Sequence, residues 1–179
     1  GCGSGATEHA LAARGACVTA LPLDSIIGAA AAGERVEMIY GSLDESFHRL
    51  AGRQFDCVLM TNLLHLQREP SRLLRNCLNS VRAGGHLVLG GPNFDRLNWF
   101  IKRAVGLGAF SQLRDYEQSG ISLCGPRTIA APLRRARFEI EAVKWVDRLV
   151  QFPSRLGLPI SLGQLTARSW ILQARRGQA

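Results

Sequence analysis

The chain has 179 residues, of which 46% are hydrophobic and 20% are charged. This balance is typical of a globular protein and argues against intrinsic disorder. No apolar run approaches the roughly 18–20 residues that a membrane-spanning helix needs. The net charge of +8 fits either a solvated arginine-rich surface or an anionic partner. We expect no nucleic acid as partner, because aromatic residues are not interleaved with the basic ones.

The five cysteines include no C-x-x-C pair, and the four histidines lack metal-ligand spacing. An odd, unpatterned set of cysteines fits free thiols in a reducing compartment, so we predict a cytoplasmic protein. We predict no metal site, and therefore chemistry without a metal ion. No linker or internal repeat divides the sequence, which predicts a single domain over residues 1–179.

The chain opens on alternate glycines, Gly1-Cys2-Gly3-Ser4-Gly5, which lead into a helix that ends at Gly15. Apolar and β-branched runs predict strands at Cys17–Leu23 and Val36–Tyr40, with a helix over Ile26–Ala32 between them. The glycines favour either a structural turn or a loop whose backbone passes close to a nucleotide-like ligand.

Further strands are predicted at Phe55–Met60 and His86–Leu89, joined by a helix that begins at Pro70 and ends at Gly84-Gly85. The strand–helix rhythm implies right-handed crossovers and a mainly parallel sheet of α/β class. The rhythm stops at residues 94–125, which we interpret as an insert that covers the substrate side. A helix from Pro126 and strands near residues 138–146 and 167–174 complete the chain.

The order of these motifs resembles the class I, Rossmann-like S-adenosylmethionine-dependent methyltransferases. The resemblance lies in G-C-G-S-G, in F-D-C-V-L-M-T-N-L-L-H-L and in R-A-G-G-H-L-V-L. It implies a doubly wound, mainly parallel sheet with an antiparallel last strand, and S-adenosyl-L-methionine as cofactor. In this family a central strand runs directly into the glycine box. We therefore expect a truncated sequence whose missing first strand leaves two strand edges unpaired.

The resemblance also implies cofactor contacts at four places. In the family's own strand order, these are the glycine turn (Gly1, Cys2, Gly3 and Gly5), the end of the second strand (Leu23 and Asp24), the loop after the third strand (Ser42 and Leu43) and the end of the fourth strand (Thr61 and Asn62). Two positions depart from the family pattern. Pro22 stands where an acidic residue usually binds the ribose, so Asp24 either substitutes for it or only caps the next helix. Ser42 stands where the family often has an aspartate.

His65, just after the fourth family strand, is the candidate general base for an oxygen acceptor. The alternative is a histidine that only packs in its loop. In the insert, Trp99, Phe100 and Tyr116 are candidates to bind an apolar or ring-shaped acceptor. The insert helix could equally be a cap that packs on the sheet, or an interfacial helix on an anionic membrane, with Lys102 and Arg103 beside its aromatic residues.

The sequence therefore predicts a metal-independent methyltransferase acting on a small-molecule, glycan or lipid-type acceptor, most plausibly at oxygen. A first alternative is a catalytically inactive, methyltransferase-like binding module, motivated by Pro22 and Ser42. A second is a nicotinamide-binding oxidoreductase. Such a protein normally has G-x-G-x-x-G, and Ala6 with the residues after it does not continue that pattern.

Overall fold

The computed structural model of the chain describes residues 5–22, 35–105, 116–148 and 162–178. The chain divides into two compact units, Gly1–Arg53 and Gln54–Ala179. Both units combine helices with β-strands, which confirms the predicted α/β class. The single domain over residues 1–179 stays a prediction.

The first unit contains two short strands and two helices in its described part. Helix α1 covers Ala6–Ala13, β1 Val18–Ala20, β2 Val36–Met38 and α2 Leu43–Arg49. The two strands are parallel, with Val18 opposite Val36. Both predicted strands are confirmed but shorter than expected, and the helix predicted at residues 26–32 lies outside the described residues.

The second unit is built on a four-stranded sheet. Its strands are β3 (Phe55–Thr61), β4 (Val81–Pro92), β5 (Phe138–Arg148) and β6 (Ala167–Arg176). Their order in the sheet is β3-β4-β6-β5; β3 and β4 are parallel, and β6 runs antiparallel to β4 and β5. The antiparallel last strand expected from the resemblance is thus present.

Along the sequence, the helices of the second unit lie between these strands. They are a 3-10 helix at Leu64–Leu66, α3 (Pro70–Ser80), α4 (Leu97–Ala104), α5 (Tyr116–Ser119), α6 (Pro126–Arg135) and α7 (Leu162–Thr166). The predicted apolar face of α3 is buried through Leu73, Leu74, Cys77 and Leu78. Burial raises the pKa of the Cys77 thiol to about 12, so this cysteine behaves as a small apolar core residue.

Helix α3 ends earlier than the sequence predicts. It stops at Ser80, and the fully buried Val81 already begins β4. The pairing register between β3 and β4 then shifts, since Phe55 pairs with Val81 whereas Cys57 pairs with His86. The glycine pair lies in this irregular stretch: a Cβ on Gly85 would come within 2.9 Å of the Arg82 carbonyl oxygen. The glycines therefore serve a strand irregularity rather than a helix end.

Four strands pair on one side only within the described ranges. They are β1 and β2 in the two-stranded sheet, and β3 and β5 at the two ends of the four-stranded sheet. In the same ranges no helix is both long enough and apolar enough to cross a membrane, and Cys17, Cys57, Cys77 and Cys124 are free thiols.

Candidate active site

The carboxyl end of β3 presents two exposed polar residues, Thr61 and Asn62. Asn62 adopts the left-handed conformation, with φ of 54°, and its backbone N–H donates to the Gly90 carbonyl oxygen at 2.9 Å. Opposite Thr61 in β4 stands Gly90, where a Cβ would come 3.2 Å from the Thr61 methyl carbon. The absence of a side chain at position 90 thus lets Thr61 lie close against β4.

His65 lies in the 3-10 helix that follows these residues, at the carboxyl end of the parallel strand pair. Its ring is half-buried and stands edge-on to Phe94, with the ring centroids 6.0 Å apart and the planes at 60°. Burial lowers the pKa of His65 below its ordinary value of 6.5. The imidazole is therefore neutral at physiological pH, which is the form that can accept a proton.

Phe94 links the histidine to α4. It is buried and packs edge-to-face against Trp99 of α4, with centroids 5.6 Å apart and an interplanar angle of 90°. This T-shaped arrangement is favourable for aromatic pairs. His65, Phe94 and Trp99 thus form a continuous row of rings, which we call the aromatic row.

Gly91 leaves space beside the aromatic row. A Cβ at this position would lie 3.4 Å from Cζ2 of Trp170 and 3.9 Å from Nδ1 of His65. The buried Trp170 is fixed by its indole N–H, which donates to the Pro92 carbonyl oxygen at 3.0 Å. Any side chain at position 91 would therefore extend into the region next to the imidazole.

Asn93 anchors the segment that carries Phe94. Its side-chain amide donates to the carbonyl oxygens of Gln164 at 2.6 Å and Ala167 at 3.0 Å, and its oxygen accepts from the Asp95 amide at 3.1 Å. Buried polar groups satisfied in this way hold a loop in one conformation. The position of Phe94 is therefore determined by contacts to residues 71 and 74 positions further along the chain.

The segment from Tyr116 to Ser122 is attached to the loop that carries His65. The Tyr116 hydroxyl donates to the Leu66 carbonyl oxygen at 3.0 Å, and the Ser122 amide donates to that of His65 at 2.7 Å. The Ser122 hydroxyl donates to the Gln67 carbonyl oxygen at 2.6 Å. Tyr116 was predicted to contact the acceptor; its hydroxyl here supports the loop, and an acceptor contact by its ring stays a prediction.

The first unit contains the other described cofactor candidates. Gly5 caps α1 in the left-handed conformation, with φ of 77°, a geometry that favours glycine. Ser42 caps α2 in a reciprocal arrangement: its hydroxyl donates to the Glu45 carboxylate at 2.8 Å and accepts from the Glu45 amide at 3.3 Å. Leu43, in the first turn of α2, is half-buried.

Several candidates cannot be placed. Gly1, Cys2, Gly3, Leu23 and Asp24 lie outside the described residues, and of Phe100 only the helical backbone is described. Their predicted roles stay predictions.

Residues 1–89 match the family model of the methyltransferase domain. The chain belongs to the class I S-adenosylmethionine-dependent methyltransferases. S-Adenosyl-L-methionine, the cofactor expected from the resemblance, is the cofactor of this family.

Among curated proteins, the methyltransferase chain is similar to the ubiquinone biosynthesis O-methyltransferase of Coxiella burnetii. The identity is 31% over 97 residues, which cover 52% of this chain and 42% of the relative. The match thus spans less than half of the curated relative.

Two solved structures show the same fold at low sequence identity. A SAM-dependent methyltransferase from Archaeoglobus fulgidus superposes with a TM-score of 0.70 at 13% identity, covering 98% of this chain and 83% of the other. A second, from Mesorhizobium loti, superposes with a TM-score of 0.67 at 21% identity, covering 98% and 88%. Both likenesses support the Rossmann-like architecture.

In this methyltransferase, no group of three or more His, Cys, Asp or Glu is placed to hold a metal ion within the described part of the chain. Sequence reasoning had missed Phe94, Gly91, Trp170 and Asn93 as parts of the site. The G-G-P-N-F run was a usable signal, because glycines at the carboxyl end of a parallel strand, followed by an aromatic residue, favour a ligand-facing loop.

Proposed function

We propose that this chain transfers a methyl group from S-adenosyl-L-methionine to a hydroxyl oxygen of a small, ring-bearing acceptor. The observation that carries the proposal is the half-buried ring of His65, which stands edge-on to Phe94 at the carboxyl end of β3. In open α/β sheets, ligands bind outside the carboxyl ends of the strands. The imidazole and the apolar rings therefore occupy the place where an acceptor is expected.

Thr61 and Asn62 fit the polar end of the cofactor. Both side chains are exposed, and neither has a hydrogen bond to the described residues. They are thus available to the amino and carboxylate groups of a methionine moiety, as the resemblance implies. When bound, S-adenosyl-L-methionine supplies a methyl group already activated by the sulfonium. The left-handed Gly5 fits a turn whose backbone approaches a ligand closely.

His65 would accept the proton of the acceptor hydroxyl. A neutral imidazole is the competent form, and burial favours that form by lowering the pKa of His65. The half-buried Trp99 would contact the acceptor ring and exclude water, which fixes the direction of the hydroxyl. The buried Phe94 would hold His65 and Trp99 in position. Gly91 would leave room for the ring beside the imidazole.

The similarity to a ubiquinone biosynthesis O-methyltransferase supports an oxygen acceptor on a small molecule. The free thiols of the described cysteines support the proposed cytoplasmic location. A metal-independent mechanism without nucleic acid as partner belongs to the same proposal.

The experiment is calorimetry of the full-length protein with S-adenosyl-L-methionine, with NADH as the comparison ligand, followed by a methyl-transfer assay on a simple catechol. We expect binding of the sulfonium cofactor, none of NADH, and methylation of a catechol oxygen. Binding without transfer to any phenolic or alcoholic acceptor would favour the inactive binding module. Absence of binding at millimolar cofactor would overturn the proposal.

A further inference from the structure

Helix α4 has one face directed at the site and another that nothing in the described structure covers. Trp99 is half-buried and contacts Phe94. Leu97, Ile101 and Val105 are exposed by 51%, 50% and 65%. Leu97 and Ile101 share one face of α4, and Val105 continues this face in the turn after Ala104, where its N–H donates to the Ile101 carbonyl oxygen. We call these three residues the outer stripe.

Three large apolar side chains in a row on one helix face are more than the scattered apolar residues that any protein surface has. Such a stripe indicates an interaction surface, because the contacts within the aromatic row bury only the opposite side of the helix. The remaining question is the chemistry of the partner.

The charge of this segment favours an anionic partner. The sequence from Arg96 to Val105 contains Lys102 and Arg103 but no acidic residue, and the whole chain has a net charge of +8. A second copy of the chain would place the same basic segment against itself and is disfavoured by repulsion. An apolar helix face in a segment that has basic but no acidic residues is the pattern of helices that lie in the interface of an anionic membrane.

We propose that the outer stripe docks this protein on an anionic lipid surface, with α4 lying parallel to the membrane. An α-helix is about 10–12 Å across with its side chains, so Trp99 and the aromatic row would face away from the lipid at about that distance. Docking would bring the site close to an acceptor carried by the membrane. That consequence rests on the proposed function, whereas the docking itself does not.

The test is flotation of the full-length protein with vesicles of an equimolar mixture of phosphatidylcholine and phosphatidylglycerol, and with vesicles of phosphatidylcholine alone. We expect binding to the anionic vesicles and little to the neutral ones. The double variant Leu97→Ser/Ile101→Ser should bind about tenfold or more weakly, since two apolar side chains no longer enter the interface. Lys102→Glu, one position after Ile101, should weaken binding as well, because it replaces a positive charge of the segment with a negative one.

The matched control is Val143→Ser/Ile171→Ser, which removes two similarly apolar residues from strands β5 and β6, where they are 36% and 39% exposed. This variant should bind the vesicles as the unchanged protein does. Failure of the unchanged protein to bind anionic vesicles would overturn the proposal. So would equal binding by the stripe variant, or a stripe variant that alters only the oligomeric state. Cofactor calorimetry on the same samples reports on the methyltransferase proposal separately.

Discussion

The turns after β2 and β3 both carry polar residues that the resemblance assigns to the cofactor, yet these residues differ in whether their side chains are already hydrogen-bonded within the protein. After β2, the Ser42 hydroxyl is engaged by Glu45 and begins α2. After β3, the next helix is capped by Leu63 without a side-chain hydrogen bond, so Thr61 and Asn62 keep their polar groups exposed. A polar residue at a strand end is therefore open to a ligand where no helix requires it as a cap.

The largest effect is expected from His65→Gln in the turn after β3. If His65 is the base, kcat should fall by about 10²-fold or more. Because burial lowers the pKa of His65 below 6.5, kcat/KM of the unchanged enzyme should decline on the acid side of pH 6.5 as the imidazole becomes protonated. That decline should disappear in the variant. The measurement is the pH profile of methyl transfer to the catechol.

His48→Gln, at an exposed position of α2, is the control and should leave both kcat and the pH profile unchanged. If the His65→Gln enzyme keeps a near-normal kcat and the same decline of kcat/KM at acid pH, the histidine only packs against Phe94.

A smaller effect, on cofactor affinity, is expected from Asn62→Gly. The variant removes the side-chain amide and keeps a residue that tolerates the left-handed backbone of this position. Loss of a hydrogen bond to a charged group costs about 1.5–3 kcal/mol, or tenfold and more in Kd. Calorimetry with S-adenosyl-L-methionine measures it.

Arg137→Gly is the matched control, because Arg137 is the other non-glycine residue with positive φ in the described structure. It makes the same backbone change at the turn between α6 and β5. Equal affinity losses in both variants would mean that the backbone, rather than the Asn62 amide, is responsible.

The strands and the buried face of α3 could be predicted because each depends on a local apolar pattern. The end of α3 could not, since helix periodicity through Val81 competes with the strand pairing of Val81 with Phe55. His65 and Trp99 were candidates from their positions in the chain. Phe94 as the link between them depends on the side-chain bonds of Asn93 to residues more than 70 positions away, and no local pattern reports such contacts.

The smallest effect is expected from Ser42→Ala, in the turn after β2. Loss of the cap should lower the free energy of unfolding by about 1 kcal/mol, whereas the Kd for S-adenosyl-L-methionine should change less than about twofold, well short of a lost hydrogen bond. Urea unfolding and calorimetry measure the two quantities. Ser80→Ala is the control: its hydroxyl donates to the Asn76 carbonyl oxygen within α3, a bond that contributes little to helix stability.

The loss in the free energy of unfolding caused by Ser42→Ala should also depend on pH. The hydrogen bonds from the Ser42 backbone amide, and then from its hydroxyl, hold the pKa of Glu45 below 4.5. A lowered pKa in the folded state stabilises the protein above pH 4.5, and this contribution disappears as the pH falls through the folded value. The stability difference between the two proteins should therefore narrow in acid. A constant difference across this range, together with a tenfold loss of cofactor affinity, would instead assign the Ser42 hydroxyl to the ligand.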